Sequence, residues 1–537
     1  MILSIPQKVG NRFQRKSMQF IQSFFFSSTN FALIALVCLF IFAGCSSIVA
    51  STKDIKNSQA LQSNPTPTFD PLQTQLAKAY KEQLGKNPNL TAAVLVSDGI
   101  DAFLNRAYLA RNAQKTLILQ TYIYKNDIAS RILMHEVWLA AQRGVIVKML
   151  IDDNGLDSDL SDIIALDSHP NIEVKIFNPY KNRSRILRYP EMVFDFNRIN
   201  HRMHNKLFIA DDIALIIGGR NIADNYFDQN NNVNFVDTDV LFMGKVAKDA
   251  RDSFCTYWDF HRSIPVSLLP LKSPLKKFKA SIEKLKANPE WEHYEREITA
   301  LSQKYERKDF KVHWGNANFI ADNPRKIEDS SLPSPIANAL GEILNHTHKN
   351  LYISAAYLVP SKEGMKRFAK LAQNNVDIHI LTNSLASTDS LVVYAAWERY
   401  RSKLIKMGAK VYEYQYHGKG KSKLRDKMSK SKASLHSKSI VFDDKIAWIG
   451  SFNLDPRSAN LNTESVVVFD NPEFAKVLKN DLVEDMQSAW RVYLDGRKTR
   501  WEGEHNGTNE ILKHPPDTGV WTRFLKTLSK MLPEDQI

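Results

Sequence analysis

The sequence predicts an α/β protein of two pseudo-symmetric halves, each a mixed central sheet flanked by helices, with the functional site where the halves meet. Three observations predict it. A short polar motif occurs twice at a constant offset, the strand-like and helix-like patterns around it also occur twice, and the composition is that of a globular chain. The 537 residues are too many for one ordinary domain. At 43% hydrophobic and 24% charged residues, wholesale disorder is excluded.

Residues 1–44 read as a targeting segment. Lys8, Arg12, Arg15 and Lys16 precede an apolar run from Phe31 to Phe42, and the small residues Ala43 and Gly44 lead to Cys45. The run is too short to span about 30 Å of hydrocarbon as a helix. Small-small-Cys resembles a bacterial lipobox, with Phe42 where Leu is usual. The resemblance implies cleavage before Cys45 and lipidation of that residue; an uncleaved anchor and plain secretion are the alternatives. All three export the body across a membrane; a lipid or anchor at the N-terminus would hold it in the cell envelope, outside the cytoplasm. Loss of residues 1–44 removes four basic residues and no acid, so the net charge falls from +14 to +10. Residues 45–75 then form a flexible tether, polar and broken by Pro65 and Pro67.

The body is a duplication, covering 76–265 and 331–510. His204, Lys206 and Asp211 stand in the spacing HxKxxxxD, and His436, Lys438 and Asp443 repeat it. Seven residues past each Asp come Gly218-Gly219-Arg220-Asn221 and Gly450-Ser451-Phe452-Asn453. The offset is 232 residues for His, Lys, Asp, Gly and Asn alike. The flanks follow suit. Strand-like Leu117–Tyr124 and Leu351–Leu358 precede helical patterns over Ile128–Gln142 and Lys362–Gln373, then strands over 145–153 and 376–384. Strand, helix, strand implies a right-handed parallel crossover.

Residues 266–330 read as a basic helical connector. Leu275, Phe278, Ile282 and Leu285 fall at helical spacing with lysines opposite, which suits a packed helix or one lying on a membrane. The tail, 511–537, is amphipathic, with Trp521, Phe524, Leu525, Leu528 and Met531 on one face; packing and interfacial roles both fit. Between Lys419 and Lys438 eight Lys or Arg face one acid, Asp426, in a segment running into His436. Arg183, Arg185 and Arg188 form a smaller basic group that suits a head-group contact or a surface loop. Asp152 and Asp153 read as turn and cap residues, and Cys255 as a core thiol. The positive charge calls for an anionic partner, either nucleic acid or a phospholipid surface.

Histidine can attack phosphorus or move a proton near neutral pH. A lysine two residues on along a strand shares its face and supplies a cation for a phosphoryl oxygen. Asn221 and Asn453 can donate to the remaining oxygens, and Gly218, Gly219, Gly450 and Ser451 let backbone approach an anion. Two copies facing each other allow one histidine to attack while the other protonates the leaving oxygen. Such chemistry needs no metal and no cofactor.

These residues resemble the phospholipase D superfamily, defined by this duplicated signature. The resemblance implies two phospholipase D-like domains and a phosphohistidine on His204, with His436 as the acid. It also implies an orienting acid after each motif, Glu464 in the second half and Asp237 (or Asp239) in the first. Asp211 and Asp443, grouped with the catalytic set by the motif, would act mainly at the turn. Segments 198–212, 218–227, 450–464 and 515–535 are similar to bacterial cardiolipin synthases of the C type. That similarity implies transfer of a phosphatidyl group from phosphatidylglycerol or phosphatidylethanolamine to phosphatidylglycerol. It makes anionic phospholipid and the membrane surface the expected partners, with no nucleic acid and an accessory protein left open. The alternatives are a phospholipase D or phosphodiesterase using water, and an exported nuclease.

Overall fold

The computed structural model describes residues 67–531 except 79, 157–159, 182–190, 192–193, 270–274, 308, 417–430 and 506–507. The targeting segment with Cys45, residues 45–66 of the tether, most of the basic segment before His436, and Arg183, Arg185 and Arg188 lie outside the described residues.

Each half is built on eight strands in one order. From its outer edge inward, the first half runs Ser263–Pro265, Ile172–Phe177, Ile146–Leu156, Thr116–Tyr124, Leu207–Ala210, Ala214–Gly218, Asp239–Gly244, Thr91–Val96. The second runs Trp490–Asp495, Lys410–Tyr414, Asp377–Asn383, Asn350–Ala355, Lys438–Phe442, Ile446–Gly450, Ser465–Asp470, His313–Ala321. Thr91–Ala93 pairs antiparallel with His313–Gly315, so the two sheets join edge to edge. The central strands are apolar throughout, as in Ala214–Gly218, because both their faces are covered.

The patterns over Ile128–Gln142 and Lys362–Gln373 are helices with those bounds. Asp127 caps the first, accepting from the Ser130 N–H at 3.2 Å. Between the halves lies one continuous apolar core, with Phe242 of the first half edge-on to Phe469 of the second at 5.6 Å. Helices Lys245–Trp258 and Pro472–Gln487 cover it. A shared core of this kind fixes the halves relative to one another, unlike a polar interdomain contact.

The connector departs from its expectation. Helices Leu275–Lys286 and Pro289–Arg307 are present, but 313–321 is a strand of the second sheet. A Cβ at Gly315 would come within 2.6 Å of the Asp470 carbonyl oxygen, so the strand passes its neighbour at a distance only glycine permits. Phe278, Ile282 and Leu285 are buried, with Phe278 against Trp138 at 5.7 Å, so the apolar stripe packs on the body. Cys255 is half-buried, not a core thiol.

The expected tail also changes its boundary, since Lys498–His505 and Thr508–Leu512 form a hairpin extending the second sheet past residue 510. Beyond it, helix Val520–Ser529 docks through its polar side. Lys526 donates to both Glu398 oxygens at 3.0 and 2.8 Å and is 8% exposed, while Trp521 is 77% and Met531 84% exposed. Among the described residues no helix is long and apolar enough to cross a membrane.

Candidate active site

The two motifs meet at the inter-half seam. Residues 204–206 and 436–437 precede their strands, so each histidine stands at a strand mouth and not on the ladder itself. Backbone pairing across the seam holds them there. The His204 N–H donates to the Thr463 carbonyl at 2.8 Å, and the Thr463 N–H to that of Arg202 at 2.9 Å. The His436 N–H donates to the Val236 carbonyl at 2.7 Å, beside a parallel pairing of Val233–Val236 with Lys432–Leu435.

This stitching exchanges the acids between halves. His204 Nδ1 lies 3.0 and 2.9 Å from the two oxygens of Glu464, and His436 Nδ1 lies 2.7 Å from Asp237 Oδ2. Each histidine thus takes its carboxylate from the opposite half. With Nδ1–H donated to an acid, Nε2 of each ring keeps its lone pair. Asp239, the alternative to Asp237, instead pairs with Arg106 at 2.9 Å.

Glu464 is firmly held. It accepts from the Ser451 hydroxyl and, at 2.8 Å, from that of Ser458, and its N–H donates to Asp322 at 3.1 Å. Ser451 is therefore a partner of the acid. Gly219 has the corresponding duty by being small, since a Cβ there would meet Asp237 Oδ2 at 2.4 Å. At Gly450 a Cβ would strike the Ser465 carbonyl at 2.2 Å. Gly219 thus leaves room for Asp237 and Ser451 holds Glu464, while Gly450 lets its strand pass close beside Ser465.

Lys206 Nζ donates to the His204 carbonyl at 2.7 Å, and Lys438 Nζ to that of His436 while lying 3.2 Å from its Nδ1. The Asn221 Oδ1 accepts from the Ile123 N–H at 3.0 Å, its Nδ2 lies beside Tyr226, and the Asn453 Oδ1 is buried with no hydrogen-bond partner among the described residues. Tyr122 packs on the His204 ring at 5.1 Å, and Tyr226 and Phe235 on that of His436, each at 5.2 Å. Both histidines retain a small opening, 8% and 7% exposed.

Burial dominates the electrostatics. It pulls His204 down to about 4, against the opposing pull of Glu464, and Lys206 down to about 7. His436 is pushed well below its ordinary value by burial, then by Lys438 and Lys206. Burial raises Asp237. It acts the same way on Glu464, but His204, Lys206 and Ser451 outweigh it and keep that carboxyl below its ordinary value. The histidines are near enough that charge on His204 lowers His436. The free site is two neutral imidazoles among cations and buried acids, arranged to receive an anion.

Asp211 and Asp443 do not join this cluster. Asp211 accepts from the N–H groups of Gln114, Lys115 and Thr116 at 2.7–3.1 Å, and Asp443 from those of His348, Lys349 and Asn350 over the same range. They tie a left-handed turn, with φ of 51° and 54°, to the start of the neighbouring strand, at the end of the motif strand away from the histidine.

Two positioning residues escaped the sequence reading. Asp152 accepts from the Met203 N–H at 2.9 Å, and Asn383 accepts from the Leu435 N–H at 2.8 Å and donates to its carbonyl at 2.7 Å. Each sits in the strand after the crossover helix and grips the residue before a histidine. A match of Asp152-to-Met203 spacing with Asn383-to-Leu435 spacing was the available signal, at offsets of 231 and 232. Asp153 accepts from the Tyr180 N–H at 2.6 Å.

A family model described as "Cardiolipin synthase, PLD-like domain" matches residues 108–258 and 340–486, one match per half. An uncharacterised protein of Helicobacter pylori is 45% identical over 94% of this chain and 99% of its own length. Cardiolipin synthase C of Escherichia coli is 34% identical over 86% of this chain and 98% of its own. A crystal structure of phosphatidylserine synthase from Haemophilus influenzae covers 85% of this chain and 99% of that one, with a TM-score of 0.54 at 14% identity, a likeness of fold. Two motif-bearing halves, the paired histidines at their seam and these matches over nearly the whole body agree: the chain belongs to the cardiolipin synthase family with phospholipase D-like domains.

Proposed function

We propose that this protein is a phosphatidyltransferase that makes cardiolipin by way of a phosphohistidine. The observation that carries the reading is the pair of Nε2 atoms left free by Nδ1 contacts to Glu464 and Asp237. The phosphodiester of a donor phospholipid, phosphatidylglycerol or phosphatidylethanolamine, enters between the rings. His204 Nε2 attacks phosphorus, the bond to the head-group alcohol breaks, and the leaving oxygen takes a proton from His436 Nε2. The hydroxyl of a second phosphatidylglycerol then gives its proton back to His436 and attacks phosphorus, and the P–N bond breaks. Glu464 supports the positive charge His204 gains in the first step. The diester's own negative charge offsets Lys206 and Lys438, which raises His436 so that it can carry the proton it must give. The two lysines, with the amide of Asn221, face the charge that develops on the phosphoryl oxygens.

The substrate is membranous, and the exposed apolar side of Val520–Ser529 supports work at a phospholipid surface. The lipobox-like start supports a place in the cell envelope, with the catalytic body outside the cytoplasm. The reading is tested by lipid analysis of cells lacking other cardiolipin synthases, expressing wild type or His204→Ala. Cardiolipin is expected with wild type alone. Phosphatidic acid in its place would make the enzyme a hydrolase, and no lipid change with either would overturn the proposal.

A further inference from the structure

A cavity of about 400 Å³ lies in the second half, between the sheet and helices Pro335–Asn345 and Lys362–Gln373. Leu340, Leu351, Ile353, Phe368, Ile440 and Phe452 wall it with apolar side chains. The exposed Ser361 and Glu363 mark its open side.

The first half has the same layer, filled. Phe227 is fully buried there and touches Phe103 at 5.4 Å, and Phe103 touches Tyr294 of the connector at 5.7 Å. The residue in register with Phe227 is Ala459, which lines the cavity. The halves match at the start of this segment, where Ile222 bridges Tyr124 as Leu454 bridges Leu358, and the offset of 232 carried on from that bridge pairs Phe227 with Ala459. The connector helix Pro289–Arg307 also packs over helix Gly99–Asn112 in the first half. One half is thus plugged by aromatic rings where the other is hollow.

The hollow adjoins the catalytic cluster. Phe452 and Leu454, on either side of Asn453, both line it. The short helix Pro456–Asn460 is a shared wall: Pro456 and Ala459 face the cavity, while Ser458 donates to Glu464 at 2.8 Å. Asp455 lines the cavity and its charge reaches Lys438.

We propose that this cavity takes one acyl chain of the phospholipid substrate, an inference that rests on the proposed function. Its volume lies in the range of small-ligand sites, roughly 300–1,000 Å³. Its mainly apolar walls gain by covering methylene groups. Arg367 also lines it, but donates to the Gly341 carbonyl at 2.9 Å and lies 3.9 Å from Glu363, so its charge is already matched and the cavity offers a phosphate head group little.

The test fills the hollow with the ring its twin already carries. Ala459→Phe is compared with wild type for kcat/KM on dioleoyl and dihexanoyl phosphatidylglycerol in detergent micelles. The dioleoyl-to-dihexanoyl ratio is expected to fall about tenfold, with the melting temperature unchanged or raised. Binding of cis-parinaric acid to His204→Ala protein, followed by its fluorescence, is expected to vanish when Ala459→Phe is added. Leu344→Trp, from the opposite wall, repeats both measurements should Ala459→Phe not fold. An unchanged ratio with unchanged parinarate binding in a folded, filled variant overturns the acyl site while leaving the transferase intact. If wild type turns over neither lipid, the function falls instead, and loss or survival of parinarate binding still decides for or against the cavity.

Discussion

At the residue scale, one imidazole and one carboxylate set the pH response. His204 lies at about 4 in the fold, against 6.5 in an unfolded chain. The unfolded chain therefore binds the proton first as pH falls, and this residue's contribution to stability is lost between those values. In the proposed mechanism protonated His204 cannot attack, so the acid limb of kcat/KM is expected near pH 4. The Glu464 carboxylate favours the protonated ring. Glu464→Gln removes that pull and is expected to move the acid limb to lower pH while also cutting kcat, since the imidazolium-like transition state loses its partner. A pH–rate profile of the two proteins checks it, and a limb moving to higher pH would contradict the pairing. The histidines and lysines that meet at the seam were legible from spacing alone, because a five-position register at one offset is local information read twice. Which acid serves which histidine was not, because that pairing spans 260 residues in one case and 199 in the other.

At the element scale, the motif aspartates act as clamps. Asp211 is fully buried and serves three N–H groups of the first half, so Asp211→Ala strands donors that water reaches poorly. A loss of about 2–4 kcal/mol is expected, from the cost of a few unmade bonds to a charged acceptor. Asp443 is half-buried and two of its three partners lie in exposed surroundings, so Asp443→Ala should cost about 1 kcal/mol. Denaturant titration measures both, and kcat per folded molecule should stay within a few-fold of wild type. A catalytic role would appear as a large loss of kcat in a fully folded variant. Helices with a strong 3.6-residue period, such as Lys362–Gln373, were legible to the residue. Strand His313–Ala321 was not. Its Gly315, Asn316 and Asn318 are poor strand formers, and the partners that make it a strand, Thr91–Ala93 and Ser465–Asp470, are distant in the chain.

At the scale of the whole molecule, the last helix is docked opposite to the usual sense. A soluble protein turns an amphipathic helix apolar side inward, yet here Lys526 and Lys530 meet Glu398 while Trp521, Phe524, Leu525 and Leu528 face outward. Periodicity showed that a stripe existed but not which side the body would take. That choice depends on Glu398, 128 residues away. The helix lies on Leu391–Lys406 of the second half, the half that also holds the apolar cavity. A bilayer covering the stripe would gain the apolar area that water now wets. Trp521→Glu with Leu528→Glu is therefore expected to weaken binding to vesicles of phosphatidylglycerol and phosphatidylethanolamine at least tenfold in sedimentation. Turnover of dihexanoyl phosphatidylglycerol below its micellar concentration should persist, since both side chains lie outside the histidine cluster. Glu398→Gln supplies the converse, loosening the helix from the body and lowering its melting temperature while leaving the stripe itself intact. Should the doubly charged variant sediment with vesicles as wild type does, the stripe would not be the membrane contact, and another surface of this basic protein would have to bring the site to its lipid.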